Sequence, residues 1–148
     1  MPARLRPAVE HDWPAIAAVL QRHGLPLDGA ADHLADFVVA ESSEGVCGVA
    51  GLEVHGEAAL LRSVAVIAPG GGLGTRLVTH VITQAEARGI RDLVLLTTTA
   101  GAFFPRFGFT PVSRDDVPAA LRTSAEFQGA CPASALVMRR TSRHAELP

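Results

Sequence analysis

The chain contains no lysine and no tyrosine, one tryptophan and two cysteines among its 148 residues. Without lysine, a Gly-Lys-Ser/Thr phosphate loop is excluded. Its 13 strong cations are all arginines, scattered singly, and the formal net charge is -2. No basic stripe exists for a polyanion, so nucleic acid is not an expected partner. Without tyrosine, no phenol can serve as a proton donor. Cys47 and Cys131 lie far apart with no Cys-x-x-Cys or Cys/His spacing, so neither a disulfide framework nor a metal site is expected. Nor does any run approach the ~20 apolar residues that span a bilayer. Arg4, Arg6, Glu10, His11 and Asp12 interrupt the start where a signal peptide would be apolar. The expectation is a cytoplasmic protein without membrane contact.

What is present suits one compact domain. The apolar fraction is 48%, enough for a real core at this length. Residues 1–140 read as a single domain and 141–148 as a frayed tail. Leu5–Val9 reads as a strand. Asp12 then caps a helix with Pro14 in its first turn, Ile16, Val19 and Leu20 at helical spacing, and Gly24 as its stop. Residues 25–35 suggest one short further helix. Phe37–Glu41, Val46–His55 and Ala58–Val66 form three strands with tight turns, hence an antiparallel meander. A glycine-rich loop, 69–74, opens an amphipathic helix whose stripe is Leu73, Leu77, Val81 and Ala85, broadened by Val78 and Ile82. Asp92–Thr97 is a strand, Ala100–Phe107 a short helix, Phe109–Val112 a strand, Val117–Phe127 a weaker helix and Ala135–Arg139 a last strand.

The strand–glycine–helix unit carries the strongest chemical signal. Backbone N–H groups at a helix start, freed of side-chain bulk, converge on an anion and share the positive end of the helix dipole. Phosphate or pyrophosphate is the natural ligand. A dinucleotide fingerprint does not fit, because the preceding strand belongs to a meander and not to a βαβ unit.

Leu61-Arg-Ser-Val-Ala-Val66, the glycine loop, and Leu95 to Phe109 together resemble the acetyl-CoA-dependent N-acetyltransferases of the GNAT superfamily. Thr97, Ala100, Phe103, Phe104, Gly108 and Phe109 fall in order on the family pattern Asn-x-x-Ala-x-x-Phe-Tyr-x-x-x-Gly-Phe. The segments Leu61-Arg-Ser63 and Cys131-Pro-Ala-Ser-Ala135 look like the small acetyltransferases encoded with bacterial arsenic-resistance genes. The resemblance implies an α/β fold with a mixed, mostly antiparallel sheet, splayed between the Leu60–Val66 and Asp92–Thr97 strands and flanked by helices on both faces. It implies acetyl-CoA as acyl donor, with Val64, Ala65 and Val66 along the pantetheine arm. Gly70, Gly71, Gly72, Leu73, Gly74 and Thr75 would hold the pyrophosphate, with Thr97 and Phe104 completing the cofactor site. The acceptor implied is a primary amine on a small amino-acid-like molecule, an arsenical among the options, and the chain would be a monomer or homodimer. Pro69 stands where the family usually has Arg or Gln, and Phe104 where it usually has Tyr.

Acetyl transfer to an amine needs a base for the ammonium proton. Alternation along Val46–His55 puts Cys47, Val49, Gly51, Glu53 and His55 on one face. Glu53 is the candidate base and His55 can share the role; both also read as solvated strand-end residues. Arg62, a charge in an apolar run, either binds a substrate oxyanion or pairs with Glu53 or Glu57. Cys131 reads as a small buried hydrophobe or a proton donor, and with Cys47 as an arsenic(III) site if the sulfurs meet. His11, His23, His33 and His144 show no ligand spacing. The alternative to an enzyme is a degenerate acetyltransferase fold that binds a ligand without catalysis.

Overall fold

Strands β1 (Arg4–Pro7), β2 (Phe37–Ser42), β3 (Gly45–His55), β4 (Ala58–Val66), β5 (Asp92–Thr97), β6 (Thr110–Pro111) and β7 (Leu136–Thr141) form one sheet in the computed structural model. Its order is β1-β2-β3-β4-β5-β7-β6. The structure describes residues 3–68 and 70–142; the loop-entrance position Pro69, His144 and most of the expected tail lie outside the described residues. Thr141 belongs to β7, and its hydroxyl donates to Asp92 Oδ1 at 3.0 Å.

Every strand pairing is antiparallel except β4–β5, which is parallel. That exception positions the site. Pairing between β4 and β5 covers only Ala58↔Asp92, Ala59↔Leu93 and Leu60↔Val94. Beyond Leu60 the two strands part, as the resemblance implies, and Leu95–Thr97 pairs only with β7.

Helices α1 (Trp13–Arg22) and α2 (Leu73–Ala87) cover opposite faces. The α2 stripe buries Leu77, Val78, Val81, Ile82 and Ala85 against Ala50, Leu52, Leu61 and Leu95. Ile16, Val19 and Leu20 of α1 pack on Phe37, Val39, Val49 and Ala65. A third cluster, with Leu60, Val94, Val117 and Leu121, covers the rest of the α1 face. Among the described residues no helix is long and apolar enough to cross a membrane.

Several local expectations change. Asp12 precedes α1 but does not cap it: its carboxylate accepts from the Val9 N–H at 2.8 Å and from Arg6. The α1 stop is as expected. Gly24, at φ 67°, lets the Leu25 N–H reach the Leu20 carbonyl at 2.9 Å. Residues 25–35 yield only a tight 3₁₀ segment, Ala31–Asp36. The helix expected over 100–107 shrinks to one 3₁₀ turn, Phe104–Phe107, because Pro105 lacks a donor and Gly108 ends the turn at φ 91°. The strand expected over 109–112 keeps only Thr110–Pro111. Over 117–127 two short turns, Ala119–Thr123 and Glu126–Ala130, replace one helix, since Ser124 is extended at ψ 142°.

Two bulges also bear on the site. Ala40 faces Gly48 but Glu41 faces Val46, so Cys47 is an extra residue in β3. It therefore joins the α2-side core, whereas Val49 lies in the α1-side core. The shared face expected for Cys47 and Glu53 is not formed. The second bulge is in β4: Val49 faces Ala65 and Gly51 faces Arg62, leaving Ser63 and Val64 opposite Ala50. Ser63 sits at φ 60°, a left-handed conformation that costs an L-residue about 1–2 kcal/mol. The kink falls where β4 leaves β5.

Candidate active site

Three adjoining cavities run through the opening between β4 and β5. The first, about 580 Å³, is bounded by Val64, Ala65 and Val66 of β4, by Gly70, Gly72, Gly74 and Thr75 of the loop and α2, and by Ala100, Phe103 and Phe104. The second, about 110 Å³, shares Val64, Ala100 and Phe104 with it and adds Arg62, Ser63, Glu126 and Cys131. The third, about 280 Å³, shares Thr97, Thr99 and Cys131 with the second and is walled by Asp28, Thr98 and Pro132. The splay thus connects two larger cavities through a narrow charged middle.

The glycine loop is shaped for an anion. Gly72 caps α2 in the left-handed region at φ 78°, and the first helical bond runs from Arg76 N–H to Gly72 O at 3.1 Å. The N–H groups of Leu73, Gly74 and Thr75 therefore precede the helical ladder. A Cβ built on Gly70, Gly71 or Gly72 meets nothing within 4 Å, so the backbone is open to a ligand. Leu73 turns its side chain to the α2 core and offers only its backbone. Thr97 lines the second and third cavities and not the first; its Oγ1 accepts from the Ala100 N–H at 2.9 Å and pins the turn after β5. Buried Phe104 lines the first two. Phe103 packs against the α2-side core and is half-buried on the cavity wall, with the Arg106 guanidinium over its ring at 4.7 Å.

Arg62 is wholly buried at the middle cavity. Its Nη1 donates to Glu53 Oε1 at 3.0 Å, Nη2 to the Asp28 and Pro26 carbonyls at 2.8 and 3.3 Å, and Nε to Ser63 Oγ at 3.2 Å. Glu126 Oε2 lies 3.4 Å from Nε. Of the pairings open in the sequence, the structure forms the one with Glu53; Glu57 is exposed in the β3–β4 turn. Most donors of Arg62 are thereby committed to the protein itself.

Glu53 is buried, not solvated. Oε1 accepts from Arg62 and from Ser124 Oγ, both at 3.0 Å, and Oε2 lies 2.9 Å from His55 Nε2. Burial alone would raise its pKa, but bonds from His55, Ser124 and Arg62 outweigh that and hold it below the usual carboxylate value. Neither Glu53 nor His55 lines the three cavities. Glu126 behaves oppositely: burial pushes its pKa up to about 6, with Arg62 only partly restraining the rise. Burial and the neighbouring Glu126 push the Cys131 thiol up to about 12, so it stays protonated. Cys47 packs on the α2 side and Cys131 beside Glu126 on the other face, so the sulfurs do not meet.

His33, Ser124 and Glu126 were not singled out by the sequence. His33 Nε2 lies 3.8 Å from Glu53 Oε2, twenty positions away in the chain. Nothing in local pattern joins them. Glu126 falls in the aperiodic stretch after Val117, where the only available signal was one acid beside Phe127.

Residues 33–111 match the family model described as the acetyltransferase (GNAT) domain. Over 125 residues the chain is 32% identical to an amino-acid acetyltransferase of Neisseria meningitidis, covering 77% of this chain and 29% of that protein. The N-acetylglutamate synthase of Neisseria gonorrhoeae, solved with coenzyme A and N-acetyl-glutamate, superposes with a TM-score of 0.80 at 28% identity. That match covers 94% of this chain and 35% of the other. A Mycobacterium tuberculosis protein solved with CoA shares the fold, with a TM-score of 0.79 at 23% identity over 94% of this chain and 99% of its own. The chain spans less than a third of the length of the curated relatives it matches.

Proposed function

The chain belongs to the GNAT acetyltransferases, and from that premise we propose that it moves an acetyl group from acetyl-CoA to the primary amine of a small, amino-acid-like molecule. The observation that carries this reading is the row of three adjoining cavities at the splay. A glycine-cradled, positively ended cavity at one mouth suits a phosphorylated donor, and a small cavity at the other, with Asp28 and three threonines in a mixed lining, suits a small acceptor. Relatives named for amino-acid acetyl transfer, one solved with coenzyme A, support the same donor and acceptor class.

The residues present fit the donor. Open glycine backbone and unladdered N–H groups at the start of α2 would hold the pyrophosphate. The bulged segment Val64–Val66, which lacks a β5 partner, offers edge backbone groups to the pantetheine amides. When bound, acetyl-CoA supplies an activated thioester whose thiol has a pKa near 8.5, so the thiolate can leave without a tyrosine. The chain's part is to align the amine in the middle cavity, exclude water and accept the ammonium proton.

Two carboxylates compete for that proton. Glu53, oriented by His55, is the first reading. Glu126 is the second, favoured because it borders the middle cavity and titrates near 6, close to the working pH of a base. Under either reading Arg62 positions both carboxylates. Amino-acid-like arsenicals belong to the acceptor class on the strength of the 61–63 and 131–135 segments, and Cys131 borders the proposed acceptor cavity.

The test is a melting-temperature titration with acetyl-CoA, followed by thiol release across a panel of amino acids and amino-acid-like arsenicals. A ligand that binds only the folded state must raise Tm. No rise would overturn the donor assignment. A rise without turnover on any amine would favour a ligand-binding domain without catalysis.

A further inference from the structure

His33, Glu53 and His55 converge on one point at the end of β3; none of them lines the three cavities, and Glu53 reaches the middle one through its bond to Arg62. Their donor atoms all lie within 4.8 Å of one another. We propose that these three residues form a binding site for a single divalent transition-metal ion of the zinc class; an ion there occupies Glu53 and His55, so the site goes with Glu126 as the proton acceptor of the proposed acetyl transfer.

The geometry is close to what such an ion needs. Zinc bonds of ~2.0–2.1 Å in a tetrahedron separate the donor atoms by about 3.3 Å. Here Glu53 Oε2 lies 2.9 Å from His55 Nε2 and 3.8 Å from His33 Nε2, and the two imidazole donors lie within 4.8 Å of each other, so His33 has to move inward for all three bonds to form. Glu53 and His55, two apart on one strand, share a face, so one half of the site is rigid. His33 is the adjustable half. It sits in the Ala31–Asp36 segment at a non-helical φ of -114° and its side chain is 28% exposed.

The surroundings complete the site. Arg62 and Ser124 both bind Glu53 Oε1, which fixes the carboxylate and leaves Oε2 facing the imidazoles. Glu53 and Glu126 bring two negative charges against the single positive charge of Arg62, so the cluster with neutral histidines carries one net negative charge. His55, 23% exposed, and His33, 28% exposed, leave a route for entry from solvent. Two imidazoles and one carboxylate suit Zn²⁺, Co²⁺ or Ni²⁺, and are too few oxygens for Ca²⁺ or Mg²⁺.

The chelator-treated full chain, titrated with Co²⁺, tests this. The expected result is saturation at one equivalent with the intense visible bands of four- or five-coordinate Co²⁺, without thiolate charge transfer, and displacement by Zn²⁺. His33→Ala, checked for folding by circular dichroism, should abolish the bands, and Ser124→Ala should weaken binding ~10-fold through the carboxylate it orients. X-ray absorption of the Zn²⁺-loaded wild-type chain needs no variant and should report two imidazoles and no sulfur. Absence of stoichiometric binding, thiolate bands, or binding that survives His33→Ala would each overturn the assignment. A normal acetyl-CoA shift in Tm beside any of these failures would leave the acetyltransferase reading standing.

Discussion

Arg6 and Arg62 each hold two carboxylates, yet the two clusters behave as different kinds of object. Arg6 grips Asp12 with a fork, Nη1 and Nη2 each at 2.8 Å, and reaches Glu41 through Nε at 3.2 Å, with its side chain 24% exposed. That fork draws Asp12 down to about 2, and the cluster ties β1 and β2 to the start of α1. Arg62, fully buried, holds Glu53 in a direct hydrogen bond but only approaches Glu126 at 3.4 Å. One of its acids is held below the ordinary value and the other lifted to about 6. One arginine with two carboxylates gives a brace in one place and a carboxyl lifted to about 6 in the other. What differs is desolvation set against the quality of the bond. On the proposed reading, the cluster at the splay is the one that supplies the proton acceptor.

The largest effect that would break this contrast is on turnover. Glu126→Gln should lower kcat ~10²–10⁴-fold with acetyl-CoA affinity unchanged, and should remove a limb of the pH–rate profile. Below about 6 the wild-type carboxylate keeps its proton and cannot accept another, so the rate should rise with pH through about 6 and then level. Glu53, with its lowered pKa, predicts no limb there. A loss confined to Glu53→Gln in a folded protein would return the base to the Glu53–His55 pair.

Next in size is stability. Arg62→Ala strands two buried carboxylates and should cost about 3–5 kcal/mol in urea unfolding; a loss no larger than that of Arg6→Ala would erase the distinction. Gly72→Val should come third. It forces an L-residue into the left-handed region at φ 78° and fills open ligand space, weakening acetyl-CoA binding ~10-fold by thermal shift. Smallest is Asp12→Asn, about 1 kcal/mol at pH 7. Because the folded pKa of Asp12 is about 2, below its ordinary 3.8, its contribution is full only well above 3.8 and is lost progressively as pH falls through 2. The Asp12→Asn difference should therefore vanish in strong acid.

Local pattern and tertiary placement divided the determination of this molecule between them. The period of 3.6 in Leu77, Val81 and Ala85 and the alternation from Phe37 to Val66 reach the structure nearly unchanged, because each element buries a face that its own residues define. The glycines before α2 were legible for the same reason: positive φ and an exposed helix start are local properties. The failures cluster where local signals are weak or overruled. No glycine marks the bulge at Ser63, yet pairing to β3 imposes it and so aims Val64–Val66 at the cleft. The extra residue at Cys47 reverses the face that strict alternation assigns. From Val117 to Cys131 no period exists, so the position of Glu126 depends on what it packs against, and that partner, Arg62, lies more than sixty residues earlier. The sequence by itself determined the strand meander, helices α1 and α2, the glycine-rich opening of α2 and the family. The tertiary structure alone decided which charges meet, and how deeply, because desolvation depends on every element that closes over a group and no single segment encodes it.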